Sequence, residues 1–207
     1  MKSKQQKQYS KNVFLNFPFD KPYEDIRDAI IFAVYDCGFV PRCALEEDDS
    51  GVVRISKIER MIQESQYAIH DISRTQLDPT SQLPRFNMPL ELGIFLGAKR
   101  YGPPDQKKKS CLVLDSEKYR YQKFISDISG NDIRSHSNDP EIAIKHVRDW
   151  LSSKLSNVTV PGGAQMSKKF REFQQELPIL LSALKIGVTE LTYNDYSNIL
   201  SEWLKGH

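Results

Sequence analysis

The sequence predicts an α/β protein: a flavodoxin-like five-stranded parallel sheet, order 2-1-3-4-5, flanked by helices and followed by a C-terminal helical appendage. Three observations predict it. Short apolar runs alternate with segments of helical period from Asn12 to Leu155, reading βαβαβαβαβα, and that alternation favours a parallel sheet covered on both faces. Right-handed crossovers leave 2-1-3-4-5 as the simplest strand order. A chain of 207 residues with 39% hydrophobic and 27% charged content has material for one domain and a small addition.

Residues 1–11 are polar and lysine-rich and read as a flexible tail. "NVFLNFPF" (Asn12–Phe19) is a short apolar run closed by Pro18, which suits a buried strand. The helix after it carries Ile26, Ala29, Ile30, Ala33 and Val34 at helical spacing, with Pro22 near its start and Gly38 at its end. "FVPRCAL" is a second strand, and Glu46–Gly51 is a charged loop. Ile55, Ile58, Met61 and Ile62 then share one face of a helix before the third strand, "QYAIHDIS".

The loop from Arg74 to Arg85 carries Pro79 and Pro84. In the next helix Leu90, Ile94 and Ala98 form one stripe, with Leu92, Phe95 and Lys99 beside it. "KSCLVLD" (Lys109–Asp115) is the clearest strand of the chain. A helix from a Ser116 cap to Gly130 is expected next, then a short fifth strand, "NDIRSH". Asp139 followed by Pro140 marks the start of the last helix of the sheet domain. The α/β domain thus spans 12–155, a linker 156–165, and the helical appendage 166–207. The appendage holds two helical patterns, Ser167–Leu184 and Tyr193–Leu204. Its Leu177, Ile179, Leu180, Leu181 and Leu184 offer apolar surface for docking on the same domain, on a second copy or on a partner protein.

Several function classes lose support at this level. A formal net charge of +2 argues against direct nucleic-acid binding. No run approaches the roughly 18 apolar residues that span a bilayer, and "MKSKQQKQYSK" lacks an apolar signal core. Cys37, Cys43 and Cys111 form no CxxC pair and read as reduced thiols of a cytoplasmic protein. The four histidines show no ligand spacing, so no metal site is expected.

Open α/β sheets bind ligands beyond the carboxyl ends of their strands, where strand order reverses. That rule nominates the loops after strands one, three and four: Asn16–Asp20, His70–Arg74 and Asp115–Lys118. Glu91 stands out in "FNMPLELGIFLGAKRYG" because it is a lone carboxylate flanked by Leu90 and Leu92. A first-turn acid gains about 0.3–1 kcal/mol from the helix dipole, which is one explanation of it. Gly93 and Gly97 suggest another, since helix-interior glycines often permit close packing or ligand approach.

Three segments in this order carry a resemblance: "LNFPFD" ending the first strand, "YAIHDIS" running into an aspartate, and "PLELGIFLGAKR" as x-x-E-L-G-x-x-x-G. Together they resemble the nucleoside 2-deoxyribosyltransferase family and the related TIR-type NAD hydrolases, over about Asn12–Leu151. The resemblance implies an N-glycosidase, hydrolase or transferase, cleaving the N-glycosidic bond of a nucleoside, nucleotide or NAD-type substrate. Glu91 matches the helix-borne catalytic glutamate, and Asp71 the aspartate that contacts sugar or base. Asn16, Phe17, Pro18, Phe19 and Asn87 would line the substrate, and Arg74 or Arg85 would meet phosphates. Asn87 reads equally as a helix cap. His136 and the tyrosines Tyr119 and Tyr121 are outside candidates. NAD or a nucleotide would be substrate, so no cofactor is expected. Domains of this kind also occur as bacterial antiphage effectors, and a non-catalytic nucleotide sensor or TIR-like assembly module is the competing reading.

Overall fold

The computed structural model describes residues 4–75, 77 and 82–207. Five parallel strands, β1 (Asn12–Asn16), β2 (Val40–Arg42), β3 (Tyr67–Asp71), β4 (Ser110–Asp115) and β5 (Ile133–Ser135), form one sheet in the order β2-β1-β3-β4-β5. The expected flavodoxin-like order is therefore the observed one. Register is continuous through the centre, with Asn16 opposite His70 and Asp71 opposite Leu114.

Side chains alternate across the sheet, and the two faces have different covers. Val13, Leu15, Tyr67, Ile69, Leu112 and Leu114 face α2 (Glu24–Asp36) and α5 (Pro140–Ser152). Phe14 and Ala68 face α3 (Arg54–Gln63) and α4 (Asn87–Tyr101), against Ile58, Met61, Ile62 and Phe95. Helix α2 ends as its sequence implies. Gly38, at φ 76°, takes the left-handed position after the helix, and Phe39 N–H reaches back to Val34 O at 3.1 Å. At α5, Asp139 caps by accepting from the Glu141 N–H at 2.8 Å, with Pro140 opening the helix.

Two expectations are corrected. The tail 1–11 was expected to be loose, but Lys4–Tyr9 forms a helix, α1, that is tied to the body of the domain. Tyr9 O accepts from Gln66 N–H, and Tyr9 OH donates to Asp105 O at 3.0 Å. The helix expected over Ser116–Gly130 is replaced by two short 3-10 turns, Arg120–Lys123 and Ser126–Ile128. The Ser116 carbonyl accepts from Ser137 N–H and Ser135 Oγ, which spends it on the β5 connection and not on a helix. The left-handed Tyr119 (φ 61°) then swings Arg120 onto Asp115. The loop expected over Arg74–Arg85 lies partly outside the described residues.

The appendage, α6 (Gly163–Leu184) and α7 (Tyr193–Gly206), docks on its own domain. Phe32 of α2 is met by Phe170, Phe173 and Trp203 at ring distances of 5.3, 6.2 and 6.4 Å. Of the apolar residues offered for docking, Leu181 is buried and Leu177 and Leu180 pack on the core, while Ile179 and Leu184 stay exposed. Within the linker, Val160 is buried and Arg148 holds the Val160 and Pro161 carbonyls. No helix of the described residues is long and apolar enough to cross a membrane.

Candidate functional site

A cleft of about 360 Å³ opens at the carboxyl edge of the sheet, which lies at the lower end of the range for small-molecule sites. Its walls come from the β1 loop (Asn16 to Asp20), from Ala44 and Arg54 on either side of the β2–α3 connection, and from Arg85, Asn87, Met88 and Glu91 at the start of α4. This is the point between β1 and β3 where the chain order of the strands reverses, the position at which open α/β sheets bind ligands.

Asn16 fixes one side of it. The Asn16 amide nitrogen donates to His70 Nδ1 at 2.9 Å and to Met88 O at 2.9 Å. The second bond pins the first turn of α4 to the end of β1. His70 is fully buried and accepts at Nδ1, so its other nitrogen carries the proton. Burial drives its pKa down to about 3, helped by the Lys109 charge, and the ring stays neutral. It packs edge-on against Phe95 at 5.2 Å.

Glu91 is the fifth residue of α4 and lies on its buried stripe with Met88, Leu92 and Phe95. The expected stripe through Leu90 is therefore rotated: Leu90 is exposed, and the acid faces inward. Only 8% of Glu91 is exposed, yet its carboxylate has no hydrogen bond or ion pair among the described residues. Desolvation raises its pKa from 4.5 to about 7, against a weaker pull from the Arg54 charge. The helix dipole does not account for this acid, because the dipole acts mainly within the first turn. Nor do the glycines account for it. A Cβ at Gly93 or Gly97 would meet no atom within 4 Å, so both face open space and not a close neighbour.

Asp71 is placed elsewhere. His70 and Asp71 point to opposite faces of β3, and Asp71 turns toward α2 and away from the cleft. It accepts from Tyr23 OH at 2.7 Å and from Ser73 N–H at 2.9 Å, and His136 Nε2 lies 3.0 Å from it. The Asn138 N–H donates to His136 Nδ1, and Nε2 meets Asp71 as a close polar contact without hydrogen-bond geometry. Burial pushes the Asp71 carboxyl up, but these partners outweigh it and hold the pKa below the usual value.

Of the sequence candidates, Asn16, Phe17, Pro18, Phe19, Asn87 and Glu91 line the cleft together. Arg74 does not; its guanidinium pairs with Asp20 at 3.2 Å. Asn87 is the first residue of α4, and no side chain caps that helix. The loop after β4 serves a different purpose: Asp115 there is bound by Arg120, which also holds Ile72 O and Thr75 Oγ1. Tyr121 is buried in the core and Tyr119 is exposed.

No family model matches the sequence, and no curated protein matches it.

One charged cleft residue escaped the sequence reading. Arg54, at the start of α3, stacks its guanidinium over the Phe19 ring at 5.7 Å and is the charge that acts on Glu91. The loop after β2 was not among those nominated, although β2 neighbours β1 in the predicted order and brings its helix to the same edge. The described residues hold no group of three or more His, Cys, Asp or Glu that could bind a metal. Burial raises the pKa of the Cys37 and Cys43 thiols to about 12, which makes them poor nucleophiles.

Proposed function

We propose that this chain is an N-glycosidase that cleaves the bond between a ribose-type sugar and its base through Glu91. One observation carries the reading: a buried carboxylate without a partner among the described residues faces a cleft at the switch point of the sheet. Folding leaves such a group desolvated only at a cost, and sites of that kind concentrate where chemistry is done.

Cleaving an N-glycosidic bond builds positive charge on the sugar ring. A carboxylate facing C1 in a water-poor cleft stabilises that charge electrostatically, or attacks the carbon directly. With its pKa raised to about 7, Glu91 is about half ionised at neutral pH. A cationic ring in the cleft would ionise it further, so charge stabilisation and substrate binding reinforce each other.

Among the described residues Glu91 has no acid partner in the cleft. Asp20, the other carboxylate of the cleft, is engaged by Arg74, and Asp71 faces the opposite side of the sheet. A neutral purine or pyrimidine needs a proton as it leaves, whereas a pyridinium base does not. The reading therefore favours a substrate with a cationic leaving group, such as NAD, over an ordinary nucleoside. Arg54 and Arg85 would meet its phosphates.

The test compares wild type with Glu91→Gln against NAD and a nucleoside panel, following free base by chromatography and ligand binding by calorimetry. Loss of base release by at least 1,000-fold, with affinity within a few-fold of wild type, is the expected result. If wild type binds a nucleotide but releases no base, the cleft belongs to a non-catalytic sensor and the glycosidase reading is overturned.

A further inference from the structure

We propose that His70 is a positioning residue for Glu91: from within the sheet it fixes α4 on both sides of the acid, one turn before it and one turn after. The inference rests on the reading of Glu91 as the reacting group.

Glu91 has no hydrogen bond or ion pair of its own among the described residues. Its carboxylate is therefore only as well placed as the backbone of α4 that carries it. That helix starts without a side-chain cap, and helix ends fray unless something holds them. A misplacement of about 1 Å can cost on the order of 100-fold in rate, so the hold on this turn bears directly on the chemistry.

His70 supplies the hold twice. Its Nδ1 accepts from the Asn16 amide at 2.9 Å, and the same amide nitrogen donates to Met88 O at 2.9 Å. Met88 precedes Glu91 by about one helical turn. On the other side, the His70 ring packs edge-on against Phe95 at 5.2 Å, about one turn after Glu91. Met88, Glu91 and Phe95 share the buried stripe of α4. The acid thus sits between two anchor points that trace back to one side chain of β3.

The nitrogen matters as much as the ring. The Asn16 amide has two N–H groups, and both are spent, one on His70 and one on Met88. An amide that met a donor in place of the Nδ1 acceptor would turn its oxygen toward the ring, and Met88 O would lose its bond. Burial and the Lys109 charge keep His70 neutral, with a pKa of about 3, so the acceptor persists at neutral pH.

The same ring is costly to the fold. His70 is fully buried, and its Nε2 has no hydrogen-bond partner among the described residues. An unmet buried polar group is unfavourable, and a phenyl ring would pack beside Phe14 and Phe95 without one. Packing alone does not account for a histidine here, whereas the acceptor aimed at Asn16 does.

Two substitutions separate the acceptor from the ring. His70→Phe keeps a ring against Phe95 and removes the acceptor; His70→Asn removes the ring and keeps an acceptor near the place of Nδ1. In the full chain, amide hydrogen exchange followed by NMR is expected to speed up at least tenfold at Leu90, Glu91 and Leu92 in His70→Phe, and at most threefold in His70→Asn. With NAD as substrate, His70→Phe should lower kcat at least tenfold with KM within threefold of wild type, and His70→Asn should recover kcat to within threefold. If His70→Phe does not fold by circular dichroism, Asn16→Leu takes its place, since it removes the amide and leaves the His70 ring, and the same faster exchange is expected. Unchanged exchange at these amides in the folded variant, an effect confined to KM, or a loss in His70→Asn as large as in His70→Phe overturns the proposal. A wild type that releases no base from NAD overturns the glycosidase reading instead, and the exchange pattern alone then decides whether His70 fixes α4.

Discussion

Glu91 and Asp71 are both buried carboxylates near the same edge of the sheet, and their surroundings drive them apart. Asp71 sits on the α2 face with three partners and a lowered pKa. Glu91 sits on the α4 face with none among the described residues, and its pKa is raised to about 7. A carboxylate with its lone pairs filled serves the fold, whereas one left desolvated beside a cleft weakens the fold and is available for chemistry. Burial alone does not separate the two roles; partners do.

The largest effect should come from breaking the satisfied side. Asp71→Asn removes the charge that Tyr23 and His136 are arranged around, and should cost about 3 kcal/mol in urea unfolding at pH 7, the scale for breaking a buried pair. The wild-type contribution is complete above the unfolded value of 3.8 and is lost as pH falls through the lower folded value. The gap between wild type and Asp71→Asn should therefore close in acid. A gap that is small at pH 7 would mean the network is not what holds this edge together.

The opposite sign is expected on the other face. Below pH 4.5 Glu91 is protonated in folded and unfolded chains alike, so Glu91→Gln should be nearly neutral. As pH rises to about 7 the unfolded chain ionises first, and wild type loses stability relative to the variant. At pH 8 the variant should be more stable by roughly 1–3 kcal/mol, since each unit of pKa shift is worth about 1.4 kcal/mol. A destabilised variant at pH 8 would show that Glu91 has structural partners in solution.

The smallest effect concerns the outer surface of α4. Gly97→Ala places a methyl group in open space within a helix, and should raise stability by about 0.5–1 kcal/mol. Base release and ligand affinity should not change. A loss of affinity would restore the idea that the glycine admits a ligand.

The sequence made the strand order legible because alternation and handedness leave few topologies. It also brought five β1- and α4-borne residues to the cleft beside Glu91, since chain position along the edge follows from that order. Which face each residue takes was harder to see. Period-two alternation says that His70 and Asp71 diverge, but not which of them shares a side with α4. The tilt of α4 was misread for a related reason: Leu90 looked like core by composition, while packing selected Phe95 against Phe14 and Ala68, and Met88 and Leu92 against Ile72 and Val113. Arg54 went unseen because a solvated arginine at a helix start has no local signature. The docking of the appendage did leave a signal. Ala29 to Val34 is apolar around the whole circumference of α2, as a helix covered on two sides must be.

That last feature bears on modularity. Ile31 and Phe32 belong to a helix of the sheet domain, yet Phe32 is covered by rings from α6 and α7. The two parts are consequently one cooperative unit, and the appendage cannot be exchanged like a detachable accessory. An α/β domain of this kind that lacked the two helices would need polar side chains at the positions of Ile31 and Phe32. In evolutionary terms, gain or loss of the appendage and the chemistry of that one helical face must have changed together.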